Sequence, residues 1–230
     1  MAGKVEAAMP QGKVLGIREG GACRFSAIPF AQAPVGSLRF QPPQPAQWSG
    51  TLDATRPGPV APQLPSRLRD AMGDFDAPQS EDCLHLTVWT PAADRRRRPV
   101  VLWLHGGAWQ SGAGALDWYS GAQLAARGDI VVVAPNFRLG ALGWMAIPGG
   151  TANLGQLDQE AALEWVRAHI DAFGGDPECV TVMGQSAGAV SVACMMIRKV
   201  RMERGILQSA SLGRGFRSLA KAHEIAAIFL

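Results

Sequence analysis

The sequence predicts an α/β fold, a mostly parallel sheet with helices packed on both faces. Three observations carry this expectation. Continuous apolar runs of strand length recur through the second half of the chain. Segments long enough for helices separate them. Glycine-rich turns sit where two of those runs end. Strands alternating with helices form βαβ units, and right-handed crossovers then distribute the helices over both faces of the sheet.

The elements follow in chain order. The first eighty residues are rich in Pro and Gly, and within them Lys13-Val14-Leu15-Gly16-Ile17 and Cys23-Arg24-Phe25-Ser26-Ala27-Ile28 read as short strands. The prolines in 41–66 predict irregular, packed loop. From Glu81 the rhythm changes: Leu84, Leu86 and Val88 alternate with polar partners, as in a strand. Residues 99–104 form a continuous apolar run, as expected of a strand covered on both faces, and 129–135, 180–183 and 205–208 follow. Helices are expected over 121–127, 157–173 and 186–198. The chain reads as one partial domain: 1–80 supply loop-rich N-terminal strands, and 81–230 supply the central sheet and the motifs described below.

Composition narrows the function classes. With 47% hydrophobic and 18% charged residues the chain can build an ordinary globular core. A net charge of +3 gives no basic face for nucleic acid. Arg95-Arg96-Arg97-Arg98 directly precedes a buried strand, where a solvated loop is expected. The N-terminus has no apolar run resembling a signal peptide, and no stretch approaches the ~20 apolar residues of a spanning helix. A soluble, cytoplasmic protein is therefore expected. Cys23, Cys83, Cys179 and Cys194 form no Cys-x-x-Cys pair and read as small buried hydrophobes, with no metal or cofactor implied.

Two motifs carry chemistry. Gly184-Gln185-Ser186-Ala187-Gly188 joins an apolar strand to a helix of small residues. Such a strand–turn–helix is a nucleophile elbow, which lifts the serine to the C-terminal edge of the sheet. The turn is tight enough that glycine is needed on either side, and the helix N-terminus favours developing negative charge. His105-Gly106-Gly107-Ala108-Trp109 directly follows the strand 99–104. Attack on a carbonyl creates an oxyanion, which needs preorganised N–H donors. A glycine-rich loop here, with the amide of Ala187 after the nucleophile, can supply them.

These motifs, with Ile28-Pro29-Phe30-Ala31-Gln32-Ala33-Pro34-Val35-Gly36, Glu81-Asp82-Cys83-Leu84, Asn136-Phe137-Arg138-Leu139-Gly140 and Phe173-Gly174-Gly175-Asp176-Pro177, resemble the type-B carboxylesterases, a family of α/β-hydrolases that includes cholinesterases and para-nitrobenzyl esterases. The likeness runs from about Gln11 to Leu230. It implies Ser186 as nucleophile, the N–H groups of Gly107, Ala108 and Ala187 as oxyanion hole, and Ser209 as a serine supporting the catalytic acid. It also implies structural ion pairs between Arg39 and Glu81 and between Arg138 and Asp158. The substrate implied is a small-molecule carboxylic ester, cleaved through an acyl-enzyme.

The departures from the family pattern matter. Gln185 stands where the family usually has Glu. Cys83 resembles half of a disulfide whose upstream partner is absent from Val60-Ala61-Pro62-Gln63, so a free thiol is expected. No Trp lies in 64–80, where cholinesterases hold a quaternary ammonium by cation–π attraction, so a choline ester is not the preferred substrate. The triad order in this fold is Ser, then acid, then His. After Ser186 the chain offers only Glu203, Glu224 and His223. Glu203 precedes a strand and should lie at the wrong edge; His223 sits in an ordinary helical run. Relatives carry their acid and histidine further on, so a C-terminally truncated chain, inactive alone, is expected. The contrasting reading is a non-catalytic interaction module or a non-functional remnant, against which the intact Ser186 and oxyanion loop speak.

Overall fold

The computed structural model describes residues 3–66, 69–73 and 75–230. The chain opens with three antiparallel strands, β1 (Lys4–Met9), β2 (Gly12–Glu19) and β3 (Ala22–Pro29). A short β4 (Gly50–Asp53) pairs in parallel with the first half of β2, so the segment expected to be wholly irregular contains a strand. It is largely exposed and held by backbone pairing, which leaves no apolar signal. After α1 (Arg69–Met72), β5 (His85–Thr90) joins β3 antiparallel. The central strands β6 (Arg98–Leu104) and β7 (Val131–Pro135) flank α2 (Ala122–Gly128). Next come α3 (Gly140–Trp144), α4 (Leu154–His169), β8 (Gly175–Gln185), α5 (Ala187–Ile197), β9 (Arg204–Gln208) and α6 (Leu219–Phe229).

The sheet order is β1-β2-β3-β5-β7-β6-β8-β9, with β4 on β2. The sheet is mixed. Its N-terminal half is antiparallel across the path, and β7, β6, β8 and β9 are parallel. Both motifs occur in the parallel half, at the C-terminal ends of β6 and β8. In an open α/β sheet that edge is where ligands bind.

Helices cover both faces. On one, Ala162, Leu163 and Val166 of α4 and Val192 and Met195 of α5 pack with Phe25, Leu102, Val133 and Val182 of the sheet. On the other, Ala122 and Ala125 of α2 pack with Trp89 and Val132. All five residues of β7 are buried, the expected pattern for a doubly covered strand. Each such Leu, Val or Phe contributes about 1.5–3 kcal/mol on burial.

Two buried arginines, each paired with carboxylates, fix the frame. Asp158 is fully buried and accepts the Arg138 Nε at 2.8 Å, Nη2 at 2.6 Å and backbone N–H at 3.0 Å. Arg138 also donates to the Gln41 carbonyl, tying the N-terminal loop to the exit of β7. Arg98 corrects the reading of the arginine run as solvated loop. It opens β6, is 4% exposed, and bonds Asp94 and Asp129 at 2.6 Å each. Arg97 pairs with Asp176. The pairing Arg39–Glu81 is bidentate. All four cysteines are free, but only Cys23 and Cys83 are buried; Cys179 and Cys194 are half-buried, contrary to the expectation of four buried thiols. Among the described residues, no helix is long and apolar enough to cross a membrane.

Candidate active site

Ser186 stands alone between the last residue of β8 and the first of α5. Its backbone has φ 53° and ψ −117°, a region that costs a non-glycine residue on the order of 1–3 kcal/mol. The surroundings enforce it. A Cβ on Gly184 would lie 2.7 Å from the Ala189 nitrogen, besides overlapping the Gly188 carbonyl; one on Gly188 would lie 2.7 Å from the Leu104 carbonyl carbon, besides overlapping its oxygen. Only glycine lets helix, strand and turn approach so closely. The Ser186 N–H donates to the Gln208 carbonyl at 2.8 Å, and the Ser186 carbonyl accepts the first helical bond from Val190 at 3.0 Å. Its side chain makes no capping bond to α5, so the hydroxyl is left at the positive end of the helix.

The loop leaving β6 lies against this turn. A Cβ on Gly106 would meet the Gln185 carbonyl at 3.0 Å and the Ser186 Cβ at 3.3 Å. The next three residues all have positive φ: Gly107 at 111°, Ala108 at 54° and Trp109 at 58°. The Gly107 carbonyl accepts from the N–H groups of Gln110 at 3.0 Å and Ser111 at 3.1 Å, closing the loop on itself. Ala108 is exposed and Ala187 buried. Ser209, also of positive φ (54°), follows Gln208 at the same sheet edge and is exposed.

His105 is fully enclosed beneath the loop. Its ring stacks on Phe137 at 4.3 Å, and Nδ1 lies 2.7 Å from the Gly106 carbonyl, a contact that a Nδ1–H tautomer makes as donor. Burial holds the imidazole down to about 4, against an upward pull from that carbonyl. The unfolded chain takes up this proton near the ordinary value of 6.5. Between the two values the unfolded state binds more protons, so stability rises with pH through this window and is lost as pH falls from about 6.5 to about 4. At full development the effect is about 3 kcal/mol. Urea titrations at pH 7 and pH 4.5 should show a larger acid loss for the native chain than for His105→Asn. Equal losses would assign the effect to another group.

Of the other candidates, Glu203 separates from the site. Glu203 bonds Arg167 at 3.0 Å and the Val180 N–H at 3.3 Å. In the β8–β9 register Thr181 faces Arg204 and Gln185 faces Gln208. Glu203 therefore lies about six residues down the sheet from Ser186, roughly 20 Å at strand rise. His223 is on α6, a helix whose one buried residue is Ala226. His85 opens β5, and His169 ends α4 beside Trp165. Among the described residues, no hydrogen bond joins Ser186 to a histidine, and no group of His, Cys, Asp and Glu has the make-up of a metal site. Near the loop, Trp118 packs on Phe75 and Tyr119, and Trp109 on Trp144. Sequence reading missed the Gln208 carbonyl and Ser191. A lone hydroxyl in the apolar run of α5 was the available signal for the latter.

The sequence profile of the carboxylesterase family matches residues 3–225. The chain belongs to that family. It is 43% identical over 209 residues to the para-nitrobenzyl esterase of Bacillus subtilis (strain 168), covering 89% of this chain and 42% of that protein. With a probable N-octanoylanthranilate hydrolase of Rhodococcus erythropolis it shares 48% over 213 residues, covering 89% of this chain and 46% of the relative. The solved structure of a thermophilic PNB esterase superposes with a TM-score of 0.88 at 41% identity, covering 98% of this chain and 48% of that one. The chain thus spans less than half the length of each of these relatives.

Proposed function

We propose that this carboxylesterase-family chain carries the nucleophile half of a carboxylic-ester hydrolase, with Ser186 as the attacking group. The observation that supports it best is the strained Ser186 turn at the N-terminus of α5 with Gly106 of the oxyanion loop packed against it. In a complete site a histidine takes the Ser186 proton, Oγ adds to the ester carbonyl, the alcohol leaves, and water releases the acid from the acyl-enzyme. The amides of Gly107, Ala108 and Ala187 would stabilise the oxyanion, each such donor being worth on the order of 10²–10³ in rate. Ser209, beside the elbow, would support the acid. The Trp-free stretch 64–80 favours an uncharged ester over a choline ester.

The base is the part this reading still needs: Glu203 lies down the sheet from Ser186, and among the described residues no hydrogen bond joins His223 to Ser186. The chain alone should therefore show no saturable hydrolysis of a short p-nitrophenyl ester, and adding the C-terminal half of the Bacillus relative as a second chain should restore it. Robust turnover by the chain alone, lost in both Ser186→Ala and His223→Ala, would instead make His223 the base.

A further inference from the structure

The loop that would hold the oxyanion needs an external restraint. Ala108 and Trp109 both sit at positive φ, behind Gly107. Such a run persists only where its surroundings over-determine it. The bonds from Gln110 and Ser111 to the Gly107 carbonyl lie within the loop and set its shape, not its place over the serine. Two hydrogen bonds of Trp109 reach outside. Its carbonyl accepts the Gly140 N–H at 2.7 Å, at the start of α3. Its indole Nε1–H donates to the Ser191 hydroxyl at 3.3 Å.

The second contact is the informative one. Ser191 is 1% exposed and lies on α5, five residues beyond Ser186. Among the described hydrogen bonds, this one alone runs from residues 105–112 to the helix that begins at the serine. Trp144, at 5.2 Å and 43°, backs the Trp109 ring and is itself anchored by its Nε1–H to the Arg138 carbonyl at 3.2 Å. Trp144 therefore restrains the Trp109 ring by contact.

We infer that Trp109 is a positioning residue, its indole N–H on Ser191 locking the Gly107–Ala108 loop to the helix of the nucleophile. The inference rests on the ester-hydrolase reading for its purpose, though not for its geometry. The N–H, and not the ring alone, carries the function. Phenylalanine keeps an aromatic face for Trp144 but cannot reach Ser191 with a donor.

The test uses the chain itself and the variants Trp109→Phe, Ser191→Ala and both together. Amide exchange by NMR is followed at Gln110, Ser111 and Gly140, whose N–H groups report the loop's closed state, with Val101 in β6 and Val192 in α5 as controls. Each single variant should speed exchange at the three loop amides about 5- to 10-fold, the effect of losing one net hydrogen bond. The double variant should add little, since both changes break one bond, and the controls should stay unchanged. In parallel, in this chain fused to the remaining half of the Bacillus relative, which supplies a base, the rate at which a fluorophosphonate labels Ser186 should fall together in both single variants. Unchanged loop exchange, or labelling at the native rate in both variants, overturns the proposal. If the exchange pattern is as expected but Ser186 of the fused protein takes no label, the lock stands and the nucleophile reading fails instead.

Discussion

Ser186→Ala should remove ester turnover by on the order of 10⁴-fold or more in this chain fused to the remaining half of the Bacillus para-nitrobenzyl esterase. The expected size follows from chemistry. Alanine leaves the oxyanion donors and the binding surface in place but removes the atom that forms the acyl-enzyme, so what survives is the background that those donors give to attack by water. The loss should fall on kcat, with KM little changed, because the hydroxyl acts in bond formation and not in holding the substrate. The substitution is also structurally mild. Ser186 makes its bonds through backbone atoms, the N–H to Gln208 and the carbonyl to Val190, and alanine keeps both. Alanine must still adopt φ 53°, so strain is unchanged in kind. Measured kcat and KM on p-nitrophenyl butyrate decide it, with an intact-mass measurement of the acyl adduct in the parent. A variant that keeps most of its kcat places the nucleophile elsewhere.

Much of the fold could be read from the chain because its central strands advertise themselves. Val131–Pro135 is buried throughout because both faces are covered, while in β6 Val100, Leu102 and Leu104 are buried and Val101 and Trp103 half-buried between them; burial of this kind demands apolar residues in sequence. The elements that escaped notice have no such demand. β1 buries only Ala7 and Met9, and β4 is held by backbone pairing to Gly12–Leu15, a contact nearly forty residues away. β8 starts at Gly175, in a Gly-Asp-Pro stretch that reads as a turn, because Arg98 pairs with it across the sheet. The site divides in the same way. Ser186 and the loop from His105 to Trp109 were legible because the steric demand for glycine is local. The burial of Arg98 between Asp94 and Asp129, and the reach of Trp109 to Ser191, depend on which elements become neighbours, and no short window of sequence records that.

Gly188→Ala should be the most damaging small substitution at the elbow. Gly188 is the second residue of α5, where alanine would ordinarily stabilise a helix by up to about 1 kcal/mol. Here the added methyl has no room. It would overlap the Leu104 oxygen and stand 2.7 Å from the Leu104 carbonyl carbon and 2.8 Å from the His105 oxygen. These are backbone atoms at the end of a central strand and the start of the loop that follows it, so no side chain can rotate away. Either α5 lifts from β6 or the loop shifts. Overpacking of this kind costs about 1–3 kcal/mol and outweighs the propensity gain. The effect on rate should be larger than the effect on stability, because a displacement near 1 Å between reacting groups can cost about 10²-fold. Gly213→Ala supplies the contrast: its added methyl meets nothing within 4 Å, and its φ needs no glycine. Urea unfolding of the chain should show a lowered midpoint for Gly188→Ala and an unchanged one for Gly213→Ala. In the fused protein only the first should lose activity. If the two variants behave alike, the close approach of α5 to β6 does not hold the elbow, and Ser186 owes its strained backbone to something other than the glycines around it.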